Sequence, residues 1–119
     1  MTCLTQFAEK SKIMNAAFVG IGAVDKAELA HYRVDTKVYS SHIFSEPLEI
    51  SQLTGNIFLF ENKPLVHAHI TLGDVRFHTY SGHLKKAIVS AACEITLWTL
   101  DTQLSKEMNP QIGLTLLPS

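Results

Sequence analysis

The segment that decides the fold reads PLVHAHITL and occupies residues 64–72. From Val66 onward, apolar side chains take every second position, and two histidines and a threonine take the positions between them. Successive side chains of a strand point to opposite faces, so this period of two predicts a strand with one apolar and one polar face. The apolar face contains Val66, Ala68, Ile70 and Leu72, and the polar face contains His67, His69 and Thr71.

The polar face of this strand carries a metal-ligand pattern. Strand residues i and i+2 lie about 7 Å apart with both side chains on one face, so His67 and His69 can converge on one ion. Zinc needs at least a third protein ligand, and the candidate is His83, which follows a predicted irregular turn at Ser81-Gly82. The alternative interpretation is that His67 and His69 are polar residues on a solvated sheet face.

Glu94 is the other residue to which the sequence assigns a chemical role. It lies in an apolar segment, residues 87–100, where an unpaired buried carboxylate would be costly. It therefore forms a structural hydrogen bond, faces water, or serves as a fourth metal ligand or a general base. The remaining histidines are expected to be structural or exposed: His31, His42 and His78.

Hydrophobic periodicity predicts one helix followed by strands. A helix is expected over residues 4–14, and the apolar run over residues 16–24 predicts a strand buried on both faces. Two shorter strands are expected between residues 29 and 45, with a break at Asp35-Thr36.

The second half of the chain predicts further strands. The region 48–60 reads as a strand with a bulge at Thr54-Gly55, and polar residues 61–63 followed by Pro64 predict a hairpin turn. Residues 87–100 predict a central strand, and a last strand is expected within residues 112–116.

Size and charge limit the classes of function. All 119 residues fit a single domain, residues 1–119, and the 46% hydrophobic content is typical of a globular protein. The formal charge is -1, and Arg33 and Arg76 are the two arginines, so direct specific binding to DNA is not expected. The pair Lys85-Lys86 is interpreted as a solvated strand end.

The sequence also gives an expectation for the location of the protein and for the redox state of its two cysteines. No apolar stretch is long enough to cross a membrane, and no basic secretory leader is recognisable. The expectation is a cytoplasmic protein without a membrane partner, in which Cys3 and Cys93 are reduced thiols.

Seven short motifs occur along the chain in the order found in a known family. They are Gly20-Ile21-Gly22-Ala23, Thr36-Lys37-Val38-Tyr39, Leu48-Glu49-Ile50, Leu53-Thr54-Gly55-Asn56, Pro64-Leu65-Val66-His67-Ala68-His69, Leu72-Gly73-Asp74 and Gly82-His83-Leu84. On these motifs, residues 4–117 resemble the PPC domain, also called DUF296, which is conserved in plants and prokaryotes.

The resemblance implies both a fold and a site. It implies an α+β domain with a largely antiparallel sheet flanked by helices, assembled as a homotrimer. It also implies that His67, His69 and His83 bind a divalent ion, with zinc as the expected metal. The fold is similar to that of acetolactate decarboxylase, which holds zinc with an H-x-H pair and a further histidine, but likeness of fold does not transfer the reaction.

Two departures from the family pattern stand out. The chain starts at Met1 almost inside the first predicted helix, so the usual N-terminal strand of the family is expected to be missing, which leaves a sheet edge less protected. Ser81 stands where the family usually has a glycine before the G-H-L motif.

The residues and the resemblance together lead to three hypotheses about function. The first is a trimeric, divalent-metal-binding PPC protein of unresolved physiological role that is regulatory through partner binding. The alternative is a metal-dependent lyase or hydrolase that acts on a small molecule. The second alternative is DNA association, which rests on plant relatives whose DNA contact is attributed to an AT-hook, and this sequence contains no Arg-Gly-Arg core.

Overall fold

A computed structural model describes residues 2–118 and shows a mostly antiparallel β domain. The described chain contains one helix, α1 (Thr2–Lys10), and seven strands. The strands are β1 (Ala16–Arg33), β2 (Val38–Phe44), β3 (Leu48–Phe60), β4 (Lys63–Gly73), β5 (Thr79–Thr99), β6 (Glu107–Asn109) and β7 (Leu114–Leu116). The predicted α+β class is confirmed, but a single short helix stands where flanking helices were expected.

The first five strands form one sheet in the order β2–β1–β3–β4–β5, and β1 also pairs with β5. All of these pairings are antiparallel. Because β1 pairs with both β3 and β5, the ring of strands β1–β3–β4–β5 closes on itself, and the core lies on its enclosed face. Strands β1 and β5 have 18 and 21 residues, so each is long enough to pair with more than one neighbouring strand.

A tight hairpin joins β3 to β4 and sets the register of β4, which we call the site strand because it carries His67 and His69. Glu61 and Asn62 have φ angles of 50° and 62°, the pair of positive values that a type I′ turn requires. The register that follows places Thr54 opposite His69. The predicted hairpin is therefore confirmed. The predicted alternation of β4 is confirmed as well, because Ala68, Ile70 and Leu72 are at most 2% exposed and Val66 is partly buried against the core.

The core lies between the closed sheet and helix α1. Ala8 of α1 and Ile57 of β3 are fully buried, and Phe18 of β1 is 1% exposed. Gly55 lies opposite Phe18 in the β1–β3 ladder, and a Cβ on Gly55 would overlap the Phe18 ring and the carbonyl oxygen of His67. This position therefore requires glycine for close packing between β1 and the site strand.

Helix α1 ends at Lys10, before the end that periodicity predicts. Lys12 has a φ of 54°, its N–H donates to the Glu9 carbonyl at 3.2 Å, and the Ile13 N–H donates to the Ala8 carbonyl at 2.8 Å. These two bonds around a left-handed residue form a Schellman motif, which satisfies the last carbonyls of the helix. The helix therefore stops although its apolar pattern continues.

The strand predicted over residues 16–24 is the first half of β1, and the prediction that both of its faces are buried is wrong. Phe18 is 1% exposed, whereas Val19 is 39% and Ile21 is 58% exposed. Trp98 of β5, which pairs beside this strand, is 52% exposed. We call the surface formed by Val19, Ile21 and Trp98 the outer apolar face.

The predicted bulge at Thr54-Gly55 is also wrong. These residues pair in regular register with both neighbouring strands, and the register shifts lie after Ile50 of β3 and after Gly20 of β1. The glycine that suggested a bulge serves packing against Phe18 instead.

Several smaller predictions are confirmed. The turn at Asp35-Thr36 separates β1 from β2, and the expected last strand is β7, which pairs with β6. Cys3 and Cys93 are free thiols. Over residues 2–118, the helix is too short and too polar to cross a bilayer.

Candidate metal centre

His67, His69 and His83 lie together on the face of the β4–β5 pair that points away from the core. His67 and His69 are separated by one residue on β4, and His83 of β5 pairs directly with His69. The ring centroids are 5.3 Å apart for the first two, 5.1 Å for His67 and His83, and 5.7 Å for His69 and His83. One nitrogen of each ring lies within 4.8 Å of the other two, so the structure brings together all three of the predicted residues.

The chemistry of this donor set fits a zinc ion. Zinc–nitrogen bonds are about 2.1 Å long, so two imidazole nitrogens on one ion lie no more than about 4 Å apart. The three nitrogens lie within 4.8 Å of one another, which is close to that separation. Three protein ligands leave one position of a tetrahedral ion open, which is the arrangement of catalytic rather than structural zinc.

The third histidine, His83, lies within strand β5, so the prediction of an irregular turn before it is wrong. β5 passes through Ser81 and Gly82 without a break. A Cβ on Gly82 would approach the Ala30 carbonyl oxygen to 3.0 Å, so the glycine permits close passage of β1. Next to the histidines, the Thr71 hydroxyl donates to Ser81 Oγ at 3.2 Å, which gives the serine at this position a defined partner.

The local environment favours neutral imidazoles. Burial lowers the pKa of His67 to about 4, and the positive charge of Lys106 contributes to the shift. Burial also lowers the pKa of His83, with smaller contributions from His69 and Lys85. Neutral imidazole is the form that binds a metal, so these two rings are ready for an ion at neutral pH.

Lys106 is a buried cation next to the histidines that sequence analysis did not single out. It is 8% exposed, and its Nζ donates to Asn56 Oδ1 at 3.2 Å and lies 5.6 Å from the Phe58 ring centroid. Asn56 pairs with His67 across β3 and β4. The backbone N–H of Lys106 donates to the Leu59 carbonyl, which fixes the segment to β3, and burial lowers the pKa of the ammonium group.

A cleft of about 390 Å³ opens beside the three histidines. One of its walls is aromatic, because the Tyr39 ring lies 5.7 Å from His83 and the Tyr32 ring lies 4.8 Å from Tyr39. The Tyr32 hydroxyl donates to the Ile112 carbonyl at 2.6 Å, which ties this wall to the C-terminal segment. The cleft can accommodate a small organic molecule next to an ion.

The other residues that the sequence singled out lie outside this cluster. Glu94 is exposed on β5, where it pairs with Ile21 on the outward face. It therefore faces water, and its suggested role as a fourth ligand or general base has no support from its position. The remaining three histidines are exposed and do not join the ligand group: His31, His42 and His78.

Fold and site together define a small, mostly antiparallel β domain that carries three clustered histidines beside a cleft. The chain belongs to the Plants and Prokaryotes Conserved (PCC) domain family, whose sequence profile matches residues 1–101. The family resemblance read from the seven motifs is thereby confirmed.

Solved structures share this fold over nearly the whole chain. A metal-containing protein from Archaeoglobus fulgidus is 33% identical with a TM-score of 0.91, and the match covers 99% of this chain and 84% of that one. A plant- and prokaryote-conserved protein from Pyrococcus horikoshii is 27% identical with a TM-score of 0.92, covering 99% and 82%. A Bacteroides thetaiotaomicron protein provisionally described as DNA-binding is 32% identical with a TM-score of 0.95, covering 98% and 82%. None of the curated proteins matches the chain significantly.

Proposed function

We propose that this protein binds a divalent metal ion, zinc, through His67, His69 and His83. The observation that carries the proposal is the convergence of three ligand nitrogens, all within 4.8 Å of one another. The lowered pKa values of His67 and His83 support it, because they keep both rings in the metal-binding form. The Archaeoglobus relative, a metal-containing protein 33% identical to this chain, supports it as well.

Elemental analysis of zinc-loaded and desalted protein tests this proposal. The wild type should retain about one zinc ion per chain, as expected for one three-histidine site. The double variant His67→Ala/His69→Ala should retain almost none while its circular dichroism stays unchanged. The matched control is His42→Ala/His78→Ala, which removes two exposed histidines outside the cluster and its cleft and should keep its zinc. Unchanged metal content in the first double variant would reject the assignment.

Catalysis on a small molecule is a second candidate function, and the cleft beside the histidines favours it. A bound ion would supply Lewis-acid chemistry that polarises a carbonyl group. Tyr32 and Tyr39 would hold the apolar part of a substrate and shield that side of the site from water. A lyase or hydrolase of this kind should lose turnover in a His83→Ala variant and on chelation, and a screen of small carbonyl compounds and esters is the experiment that tests it.

We further propose that the protein is a cytoplasmic homotrimer of about 39.6 kDa, three copies of the 13.2 kDa chain. The outer apolar face supports assembly, because Val19, Ile21 and Trp98 expose large apolar side chains on adjacent strands. The trimer number comes from the family resemblance. In this proposal the assembled domain is regulatory through partner binding.

DNA association is the third hypothesis, and its support is the description of the Bacteroides relative. The charges of this chain argue against direct contact. Lys85 and Lys86 lie within β5 rather than at a strand end, and Lys85 Nζ is 2.6 Å from Glu28 Oε1. We therefore propose that any association with DNA runs through a partner protein.

A further inference from the structure

Two lysines lie next to the histidine cluster. Lys85 follows His83 by two residues on β5. Lys106 Nζ donates to Asn56 Oδ1 at 3.2 Å, and Asn56 pairs with His67 across β3 and β4. Positive charge therefore lies beside the site before any ion binds, in keeping with the lowered pKa values of His67 and His83.

The two lysines differ in how their charge is balanced. Lys85 forms an ion pair of 2.6 Å with Glu28. Lys106 is buried, and no carboxylate of the described chain lies within ion-pair distance of its Nζ. Its hydrogen-bond acceptor is the neutral amide oxygen of Asn56, which takes one of three ammonium protons. A buried ammonium without a counter-charge is costly, so the fold holds an unbalanced positive charge at this point.

A bound metal ion would increase this imbalance. Three neutral imidazoles bring no negative charge to offset a divalent ion. Together with Lys106, the centre would carry about three positive charges and no protein carboxylate, in a partly buried site where screening is weak. Such a field concentrates anions at the open side of the site.

We propose that the metal centre is a binding site for small organic carboxylates, and that Lys106 supplies a second positive charge near the ion. Lys106 is linked to His67 through Asn56 but does not line the cleft, so its charge acts on the bound anion at a distance rather than by contact. This inference rests on the proposed metal site. The cleft of about 390 Å³ with its wall of Tyr32 and Tyr39 provides room for a short organic body. No arginine lies among the described residues that line this cleft, and Arg is the side chain best suited to bidentate phosphate binding. A carboxylate therefore fits better than a phosphate.

Lys106 also has a structural interpretation, because its side chain ties the segment after β5 to Asn56 and Phe58 of β3. The two roles differ in what they predict. If Lys106 only held this segment against β3, its removal would make the position of the histidines less well defined and would weaken metal binding. If it supplies counter-charge for an anion, its removal weakens anion binding but leaves metal affinity equal or higher, since like charges repel.

Cobalt(II) in place of zinc makes the test spectroscopic, because its visible absorption responds to added ligands. The cobalt-loaded wild type is titrated with acetate, benzoate and inorganic phosphate at constant ionic strength. We expect saturable spectral changes with both carboxylates, tighter binding of benzoate because of the tyrosine wall, and weaker binding of phosphate. In Lys106→Met, which keeps an apolar stem, both carboxylates should bind at least about tenfold more weakly while cobalt affinity does not fall.

Two further variants test whether the effect is specific to the charge of Lys106. Lys86→Met removes an exposed lysine of β5 and should change carboxylate affinity by less than about twofold. Asn56→Asp places a carboxylate at the position that now accepts from Lys106 Nζ at 3.2 Å, so it should neutralise the ammonium internally and weaken carboxylate binding as Lys106→Met does. This second route keeps the test valid even if Lys106→Met does not fold.

The possible outcomes separate this inference from the proposed function. Failure of cobalt to bind the wild type would contradict the metal site itself. Normal cobalt binding, with no carboxylate response or with equal carboxylate affinity in the wild type and the folded Lys106 or Asn56 variants, would overturn the inference alone. Tighter binding of phosphate than of benzoate would overturn the assignment to carboxylates.

Discussion

His83 pairs directly with His69 across the β4–β5 ladder, and their rings lie 5.7 Å apart. Residues directly opposite each other in an antiparallel pair project from the same face of the sheet. A register shift of one residue would carry His83 to the opposite face and break up the cluster. The candidate metal centre thus depends on the same strand pairing that encloses the core.

Replacement of Gly55 should disturb both the core and the site strand. A Cβ there would overlap the buried Phe18 ring and the backbone of His67, so Gly55→Ala should lower the free energy of unfolding by about 3 kcal/mol. Urea denaturation measures the change. Gly73→Ala is the control, because a Cβ on Gly73 would meet only Ser51 Oγ at 3.5 Å. Equal stability of the two variants would show that Gly55 has room for a side chain.

Asp74 should make the stability of the loop between β4 and β5 depend on pH. Burial acts to raise the pKa of Asp74, but hydrogen bonds from the His78 N–H, the Tyr80 hydroxyl and the Arg76 N–H outweigh it and hold the pKa below its ordinary value of 3.8. The stabilisation is therefore present above pH 3.8 and is lost as the pH falls below it.

Thermal melts of Asp74→Ala test this pH dependence. At pH 7 the variant should melt about 4 °C below the wild type, and the difference should shrink as the pH falls below about 4. Asp35→Ala is the control, since that carboxylate is exposed and pairs with Arg33 on the surface. A difference between Asp74→Ala and the wild type that does not shrink between pH 7 and the lowest pH at which both proteins still fold would contradict the assigned cause.

The outer apolar face should hold the proposed trimer together. Sedimentation of the wild type should give a mass of about 39.6 kDa, three times the 13.2 kDa chain. Ile21→Glu places a second carboxylate opposite Glu94 on this face, on a side chain that is 58% exposed in the single chain. Burial of two adjacent carboxylates in an interface would be costly, so this variant should sediment near 13.2 kDa. Lys10→Glu, on exposed α1 surface, should leave the mass unchanged. A wild type that is monomeric at micromolar concentration would rule out the trimer.

The isolated protein should not bind duplex DNA specifically. Ten Lys and Arg residues are outnumbered by eleven Asp and Glu residues, which gives a formal charge of -1, so the chain carries no excess of positive charge to displace phosphate counterions. Titration into labelled duplex at near-physiological salt should show no submicromolar binding. Tight, steeply salt-dependent binding that is lost in Lys85→Glu/Lys86→Glu would favour the DNA-associated alternative.

Local pattern predicted those parts of the fold that depend on one strand and its turn. Alternation along β4 identified the buried face correctly, because a period of two directly encodes which side chains point inward. The exposure of Val19 and Ile21 could not be predicted in this way. Their outward face is apolar in sequence, and only the arrangement of neighbouring strands shows that nothing within residues 2–118 covers it.

The site was predicted in part. His67 and His69 followed from their spacing. His83, which the structure brings next to them, was chosen on an expected turn, but the structure has a strand there because Gly82 permits the close passage of β1. No pattern in the sequence pointed to Lys106 as a residue of the site. Its burial depends on contacts with Asn56 and with β3, about fifty residues earlier in the chain, and the short polar segment around it shows no periodicity.

Anomalous diffraction from crystals of the zinc-loaded protein, collected above and below the zinc absorption edge, shows directly whether the three histidines bind the ion. We expect one strong edge-dependent peak in each chain, bonded to nitrogens of His67, His69 and His83 at about 2.1 Å. A fully loaded crystal whose zinc peak lies elsewhere, such as between His78 and Asp74, with the three imidazoles unbonded, would contradict it.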